Sequence, residues 1–253
     1  MYKSKLAEEL KFSLEPVAIF FTDEKPIDAL QFAEGKRGCV ASMLVASASR
    51  GKTAVFDENT YGCPGGGVGL CFGNTFAKRN HPTEHILSTG IKVPAEHEKN
   101  TPIDLERGER FFANPEVAKK WIKTLPFTET SKKYVVFKPL NEIDENNPPD
   151  IIIIFANPDQ ISALITMSGY NNGLSLNAIA PFGAACHSIL FTYQEIDREN
   201  PKAILGFFDI AQRHSVPKDI LTFTVPYKMF SEIEKSIPES CLTTHSWEKI
   251  RGR

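Results

Sequence analysis

Asp150–Ala156 has the sequence DIIIIFA, and Asn157-Pro158-Asp159 follows it directly. The run of four isoleucines predicts a β-strand that is buried on both faces, as is typical of the strands of a parallel sheet. Asparagine is a favoured helix N-cap and proline suits the first helical position, so we expect a helix from here to about Ser168. A buried strand followed at once by a capped helix indicates the α/β class.

Strand-like and helix-like segments alternate on both sides of this unit. Five further segments have the β-branched and aromatic composition of strands: Pro16–Thr22, Lys52–Asp57, Tyr134–Leu140, Ser175–Ala180 and Lys202–Phe208. We therefore expect an α/β fold in which helices pack on a mixed sheet. The turn-rich residues 141–149 are too few for a helical crossover, so Val135–Phe137 and Ile151–Phe155 are expected to be adjacent antiparallel strands.

A cysteine near a helix start, followed by a strand that ends in aspartate, occurs twice. Cys39 precedes KTAVFD at Lys52–Asp57, and Cys186 precedes KAILGFFD at Lys202–Asp209. Either the chain consists of two similar halves around a central site, or the similarity arose by chance. Since no low-complexity linker separates the halves, residues 1–253 are expected to form a single domain.

Charge and composition exclude some classes of partner. The chain has 29 basic and 31 acidic residues, so it lacks the basic patches that bind nucleic acid or an anionic membrane. Met1–Leu14 lacks the apolar run of a signal peptide. The longest apolar run, Ile151–Ala156, is far shorter than the roughly 20 residues that cross a bilayer. We expect a cytoplasmic protein whose five cysteines are reduced.

The segment Gly62–Gly73, of sequence GCPGGGVGLCFG, is expected to be an irregular loop. Its six glycines are costly to order, so such a concentration requires a reason. One is a phosphate cradle, but the lysine of a P-loop is missing. Another is close approach of the backbone to a metal or cluster, whose sulfurs would accept amide hydrogen bonds. The third is a tight crossover built from small residues.

Three cysteines stand in glycine- or alanine-rich settings: RGCVAS at Cys39, YGCPGG at Cys63 and GAACHS at Cys186. Cys39 and Cys186 are expected in the first turn of a helix, where the backbone favours a thiolate. Their wide separation matches neither zinc fingers nor ferredoxins, and fits an iron–sulfur cluster with one non-cysteine or open position. The alternative for each is a buried packing residue. Cys71 is a weaker fourth candidate, and Cys241 is interpreted as incidental.

Four other polar side chains are candidates with less support. His187 follows Cys186 and suits a metal ligand or a base. Arg213 suits either an anion-binding residue or a helix cap. His81 and His85 have the spacing of a metal-binding pair on a helix, although an exposed pair is the favoured interpretation.

These motifs, in their order, resemble the uncharacterised domain-of-unknown-function 169 family of bacteria and archaea. The resemblance covers roughly Leu14 to Ser236 and is carried by PVAIFFT, Cys39, CPGGGVGL, YVVFKPL, PPDIIIIFANPDQ, the AAC that ends at Cys186, and FTVPY. It implies that the family's three characteristic cysteines are Cys39, Cys63 and Cys186. Two features depart from the family pattern: Cys71 replaces a small residue, and LGFFDIAQR lacks the cysteine that many relatives have after the glycine. The resemblance implies fold and site location, but no activity.

The first functional hypothesis is therefore an iron–sulfur cluster or other thiophilic metal bound by Cys39, Cys63 and Cys186. The protein would serve redox chemistry or metal handling and would meet a small molecule or a redox partner.

Two other hypotheses remain open. A small-molecule-binding or regulatory protein would hold its ligand with Gly65, Gly66, Gly67 and Arg213. A cysteine-nucleophile enzyme would attack with Cys63, while Arg213 or the amides of the glycine-rich segment stabilise an oxyanion.

Overall fold

The computed structural model describes residues 2–78, 82–92 and 104–251. Its centre is a seven-stranded sheet of order β2-β3-β1-β4-β7-β6-β5. The strands are β1 (Val17–Thr22), β2 (Ala54–Phe56), β3 (Tyr134–Pro139), β4 (Ile151–Ala156), β5 (Ala178–Ile179), β6 (Ala203–Gly206) and β7 (Leu221–Pro226). In this sheet β5 and β6 run parallel, and the other neighbouring strands run antiparallel. The expected α/β fold with a mixed sheet is confirmed.

Helices cover both faces of the sheet. They are α1 (Lys5–Leu10), α2 (Val40–Arg50), α3 (Pro64–Gly69), α4 (Thr75–Lys78), α5 (Thr83–Ile86), α6 (Pro115–Thr124), α7 (Pro158–Ser168), α8 (His187–Tyr193), α9 (Tyr227–Ser236) and α10 (His245–Glu248). Helices α2 and α8 contribute to the hydrophobic core on one face. Helices α1, α7 and α9 contribute to the core on the other face. The molecule is thus a three-layer arrangement of helices, sheet and helices.

Strand β4 is buried along its whole length, as its isoleucines predict. Ile151, Ile153 and Phe155 join the core under α2 and α8, whereas Ile152 and Ile154 join the opposite core. The comparison with a parallel sheet was wrong, because both neighbours of β4 are antiparallel to it. A strand covered by helices on both faces needs apolar residues on both, whatever its direction.

The predicted pairing of β3 with β4 was also wrong. Strand β1 lies between them and pairs antiparallel with each, so β3 and β4 are parallel and not adjacent. The residues that join β3 to β4 therefore cross over β1 instead of forming a hairpin. This correction places the N-terminal strand at the centre of the sheet.

Helix α7 begins at the predicted cap. The side chain of Asn157 accepts a hydrogen bond from the Gln160 amide at 2.9 Å, and the Gln160 side chain accepts one from the Asn157 amide at 2.8 Å. This reciprocal pair satisfies two amides that the first turn leaves without helical partners. The Gln160 side chain also donates to the Leu10 carbonyl at 2.9 Å and so joins α7 to the end of α1.

The prediction of two similar halves is not confirmed. Part of the order of connection repeats: β1, α2, β2 and then β3 beside β1 in the first part, and β4, α8, β6 and then β7 beside β4 in the second, where α7 and β5 also lie between β4 and α8. However, residues 57–133 separate β2 from β3, whereas residues 207–220 separate β6 from β7. The long segment of the first part, which includes α3, has no counterpart of similar length in the second.

Candidate functional site

Each of the three candidate cysteines is the residue that directly precedes a helix. Cys39 is the N-cap of α2, Cys63 of α3 and Cys186 of α8. The Sγ of Cys63 accepts a hydrogen bond from the Gly66 amide at 3.2 Å. The three are reduced thiols. The positions expected for Cys39 and Cys186 are confirmed, and the same position is found for Cys63.

The glycine-rich segment is not a loop throughout, as was expected, because Pro64–Gly69 forms α3. Four of its six residues are glycine, which is a poor helix former. The proline occupies the first turn, where its fixed φ suits a helix, and Cys63 caps that turn. Most of α3 is buried. The burial of α3 between its neighbours therefore stabilises a helix that its composition disfavours.

The glycines of α3 allow very close contacts with the starts of two other helices. A Cβ on Gly66 would lie 2.7 Å from Cγ2 of Val40, the first residue of α2. A Cβ on Gly69 would lie 2.9 Å from the Cys186 Sγ and 2.8 Å from the Cys186 carbonyl oxygen. Real Cβ atoms do not come so close. Of the three explanations, these contacts support the third, tight packing of small residues against neighbouring protein, and approach of the backbone to a metal or cluster stays a prediction.

The backbones that precede Cys39 and Cys63 also touch. Gly62 has φ +74°, and a Cβ there would lie 2.6 Å from the Gly38 carbonyl oxygen. The ring of Phe32 covers both glycines, because a Cβ on either would overlap it. Only glycine satisfies the φ and the contact at position 62. The two Gly-Cys pairs are thus packed side by side, and sequence reasoning did not identify the aromatic cover.

The electrostatics of Cys186 link the three thiols. Burial raises the pKa of the Cys186 thiol well above its usual range, and negative charge on Cys63, Cys39 and Asp209 raises it further. Cys186 therefore remains a neutral thiol at pH 7 unless a cation stabilises its anion.

Asp209 and Gln212 belong to a further segment of the site. Sequence reasoning did not identify either residue. Asp209 caps a short 3-10 helix, Ile210–Ser215, by accepting a hydrogen bond from the Ala211 amide at 3.0 Å. The Cys39 thiol donates to the Gln212 side-chain oxygen at 3.3 Å. The sequence contained one signal for Asp209: the segments KTAVFD and KAILGFFD resemble each other, and both end in aspartate.

His187 contacts α3 rather than the thiol of its neighbour. It is 1% exposed, and its Nε2 donates to the Gly65 carbonyl at 3.1 Å. The Cys186 Sγ lies 3.6 Å from the same oxygen. Burial lowers the pKa of His187 to about 4, and the hydrogen bond to Gly65 opposes this only partly. At neutral pH the ring is therefore uncharged, and it connects α8 to α3.

Arg213 is placed differently from the cysteines. Its guanidinium donates to the carbonyls of Ile220 at 2.5 Å, Lys218 at 2.8 Å and Pro217 at 3.4 Å. These bonds hold together the turn that leads into β7. A ligand-binding role for Arg213, as for the Gly65–Gly67 backbone, stays a prediction.

The other two cysteines differ from these three in their surroundings. Cys71 is buried in a small cluster with Val68 and Leu190, and burial raises the pKa of its thiol. Cys241 packs against the core on the opposite face of the sheet. Cys241 is thus separated from the candidate site by the sheet itself, which makes it a suitable control.

The described residues contain no group of three or more His, Cys, Asp or Glu side chains arranged to hold a metal ion. His81 lies outside these residues, so the expected pairing of His81 with His85 stays a prediction. The iron–sulfur hypothesis thus stays a prediction.

Fold and site together describe a three-layer α/β protein in which three helices begin directly after a cysteine and the glycine-rich one of them, α3, packs against the starts of the other two. The chain belongs to the DUF169 family, described as uncharacterised ArCR, whose family model matches residues 5–236. The suspected family is confirmed. No curated protein and no solved structure matched the chain. Across the described ranges, none of the helices is both long enough and apolar enough to span a membrane.

Proposed function

We propose that this chain binds an iron–sulfur cluster, or another centre of thiophilic metal, through Cys39, Cys63 and Cys186. The observation that carries the proposal is the packing of α3 against the starts of α2 and α8, because the residues that precede these three helices are Cys63, Cys39 and Cys186. A cluster is larger than a single ion, so its thiolate ligands need not touch one another.

The electrostatics of the site support a cation at this place. Negative charge on Cys63, Cys39 and Asp209 raises the pKa of the buried Cys186 thiol, and Asp209 forms no ion pair with any residue in the described ranges. Ionising several of these groups without a cation is unfavourable, because their negative charges repel one another in a poorly hydrated place. Soft metals bind thiolates strongly and displace the thiol protons on binding. A metal centre would therefore relieve the repulsion that the bare site imposes.

The role of the centre would be redox chemistry or metal handling. In a redox role, chemical reduction of the loaded protein changes the absorption spectrum reversibly and the iron is retained. In metal handling, an acceptor removes the metal without unfolding the protein. Both measurements use the same loaded sample, so they decide between the two roles directly.

The experiment is anaerobic purification or reconstitution with ferrous iron and sulfide, followed by an absorption spectrum and iron and sulfide analysis. Serine at Cys39, Cys63 or Cys186 is expected to abolish or strongly reduce uptake. Cys241→Ser is the matched control, because Cys241 packs on the opposite face of the sheet. A wild-type protein that takes up neither iron nor another thiophilic metal would remove the proposal.

The two rival functions predict other results. In a small-molecule-binding protein the three serine variants lose only modest stability and bind no less metal than the wild type. In a cysteine-nucleophile enzyme Cys63 reacts with an alkylating reagent at neutral pH faster than Cys39 or Cys186. Mass spectrometry of the alkylated protein separates these outcomes.

A further inference from the structure

A long run of the chain has no charged side chain, and part of this run forms an apolar surface. No Asp, Glu, Lys or Arg occurs between Asp159 and Glu195, although 24% of all residues are charged. In the described part of the chain nine large hydrophobic residues are exposed, and five of them belong to this run: Ile165, Tyr170, Leu174, Leu176 and Phe182. Large apolar side chains on a surface without charges indicate contact with another macromolecule.

Most of these exposed residues are neighbours in the fold. Residues 170–176 connect α7 to β5, and all of them are exposed. A Cβ on Gly169, one turn after Ile165, would lie 3.4 Å from the Leu174 carbonyl oxygen, and the Asn177 side chain donates to the same oxygen. The segment thus folds back on the end of α7. We call Ile165, residues 170–176 and the adjoining strand β5 the neutral edge.

Strand β5 leaves one side of its backbone open. It is the last strand in the order of the sheet and pairs with β6 alone. The Asn177 carbonyl accepts a hydrogen bond from the Ala203 amide of β6 at 2.8 Å. Because successive residues of a strand direct their backbone groups to opposite sides, Ala178 directs its amide and carbonyl away from β6. Among the described residues, no strand or bridge pairs with that side.

The opposite edge of the sheet is covered by the chain itself. The Leu30 amide donates to the Thr53 carbonyl, and the Leu30 carbonyl accepts from the Val55 amide, both at 2.9 Å. This bridge occupies the outer side of β2. Proteins cover or charge their sheet edges because an open edge pairs readily with another chain. The edge at β5 has neither form of protection within the described ranges, so it is available for pairing.

Charged groups surround the neutral edge without entering it. Asn171 and Asn172 line a small cavity together with Glu199 and Glu232. The Asn171 side chain also donates to the Ser236 hydroxyl at the end of α9. An uncharged centre with a polar and charged rim is the usual composition of a protein–protein interface.

We propose that two copies of this chain associate through the neutral edge, with their β5 strands paired antiparallel about a two-fold axis. The occupant of this surface must lack charges there, because burying an unpaired charge is costly. It must also offer an open strand edge. The neutral edge itself meets both requirements, and a two-fold axis brings the same surface of each copy into contact. The inference does not depend on the proposed metal centre.

Sedimentation velocity of the full chain across the micromolar range tests the association. The wild type is expected to be a dimer. Leu176 is 59% exposed, so Leu176→Lys leaves the monomer intact but places a lysine in both halves of the interface. We expect the dissociation constant of this variant to rise at least about a hundredfold, because the two like charges lie together in an apolar contact.

Ile27→Lys is the matched control. Ile27 is 90% exposed and precedes Leu30 at the opposite edge of the sheet. Its replacement should leave the dissociation constant unchanged. Circular dichroism and a thermal melt establish that each variant is folded, and Leu174→Lys replaces Leu176→Lys if the latter is insoluble.

Hydrogen exchange tests the pairing of the strands. The Ala178 amide should exchange more slowly at concentrations at which the dimer forms, because a carbonyl of the second copy then accepts its hydrogen bond. This protection should disappear in Leu176→Lys and remain in Ile27→Lys.

The outcomes either support or overturn the proposal. A wild type that stays monomeric throughout the micromolar range overturns it, as does a dimer that persists in Leu176→Lys or dissociates equally in Ile27→Lys. A dimer in which the Ala178 amide gains no protection overturns the strand pairing and the proposal with it. Dissociation confined to Leu176→Lys, together with protection of Ala178 in the wild type, supports the proposal.

Discussion

Gly69 lies directly against Cys186, so closely that a Cβ on Gly69 would be 2.9 Å from the Cys186 Sγ. The two residues are distant in the sequence, and α3 and α8 meet at this contact. The position of the Cys186 thiol thus depends on the absence of a side chain on the neighbouring helix. Any substitution at Gly69 has to displace either the thiol or the helix.

Gly69→Ala is therefore expected to destabilise the protein by roughly 1–3 kcal/mol, because the added methyl group overpacks the contact. Chemical denaturation measures this cost. Gly65→Ala in the same helix is the control, since a Cβ there would meet nothing closer than 4.0 Å. The higher helix propensity of alanine should make that variant equal to the wild type or more stable. Equal stability of both variants would contradict the described packing of α3.

Ile153→Asp is expected to prevent folding. Ile153 is fully buried in the central strand β4, and a carboxylate there would have no partner. The cost is more than about 4 kcal/mol, which is a large part of the stability of a typical domain. Ile153→Val is the control and should cost only about 1 kcal/mol. Recovery of a soluble Ile153→Asp protein that unfolds cooperatively would show that β4 is not central.

Glu234 of α9 fixes the N-terminal segment to the helix layer. Its carboxyl group accepts hydrogen bonds from the Tyr2 hydroxyl, from the Ser4 hydroxyl at 2.6 Å and from the Leu6 amide at 3.1 Å. Glu234→Ala leaves these donors without a partner and should cost on the order of 2–3 kcal/mol. Hydrogen exchange in α1 should become faster in this variant and change less in Glu234→Gln, which keeps an acceptor. Unchanged exchange in Glu234→Ala would contradict the anchoring role.

Asp150 predicts a dependence of stability on pH. Its side chain accepts a hydrogen bond from the Phe21 amide at 2.7 Å, and burial raises the pKa of its carboxyl group above the ordinary value of 3.8. An acid whose folded pKa is raised contributes stability below its unfolded pKa, and this contribution is lost as the pH rises through the folded pKa. Asp150→Asn keeps an acceptor and cannot ionise. Its unfolding free energy relative to the wild type should therefore increase between pH 3 and pH 7.

Urea titrations across this pH range measure the difference. The exposed residue Asp144 supplies the control, because Asp144→Asn changes a carboxylate that already faces water. A difference between Asp150→Asn and the wild type that does not vary with pH would contradict the assignment.

The local features of the fold were predictable because their causes are local. The isoleucine run of β4 and the Asn157 cap of α7 depend on residues next to one another in the sequence. The insertion of β1 between β3 and β4 depends on pairing with strands far along the chain. No short pattern specifies such a partner, so the strand order could not be derived.

The same distinction applies to the candidate site. Cys39, Cys63 and Cys186 could be selected because small residues surround each of them in the sequence. Gln212 was missed because nothing in its local sequence distinguishes it from a surface residue, and Asp209 was missed although the repeated pattern of KTAVFD and KAILGFFD ends in it. Their importance comes from contacts with Ala185 and Cys39, which only the folded chain brings near. The helical state of α3 was likewise missed, since burial stabilises it against the propensity of its glycines.

The central position of β1 also affects how the chain folds during its synthesis. β1 cannot pair with β3 until β3 has been synthesised. At roughly 5–20 residues per second, the ribosome needs about 5–20 s to add the residues between Thr22 and Tyr134. Cys39 and Cys63 are synthesised within that interval, before the strands that form the hydrophobic core on the same face of the sheet are complete. During each round of translation both thiols are thus exposed to oxidants and to free metal, well before Cys186 is available to join them.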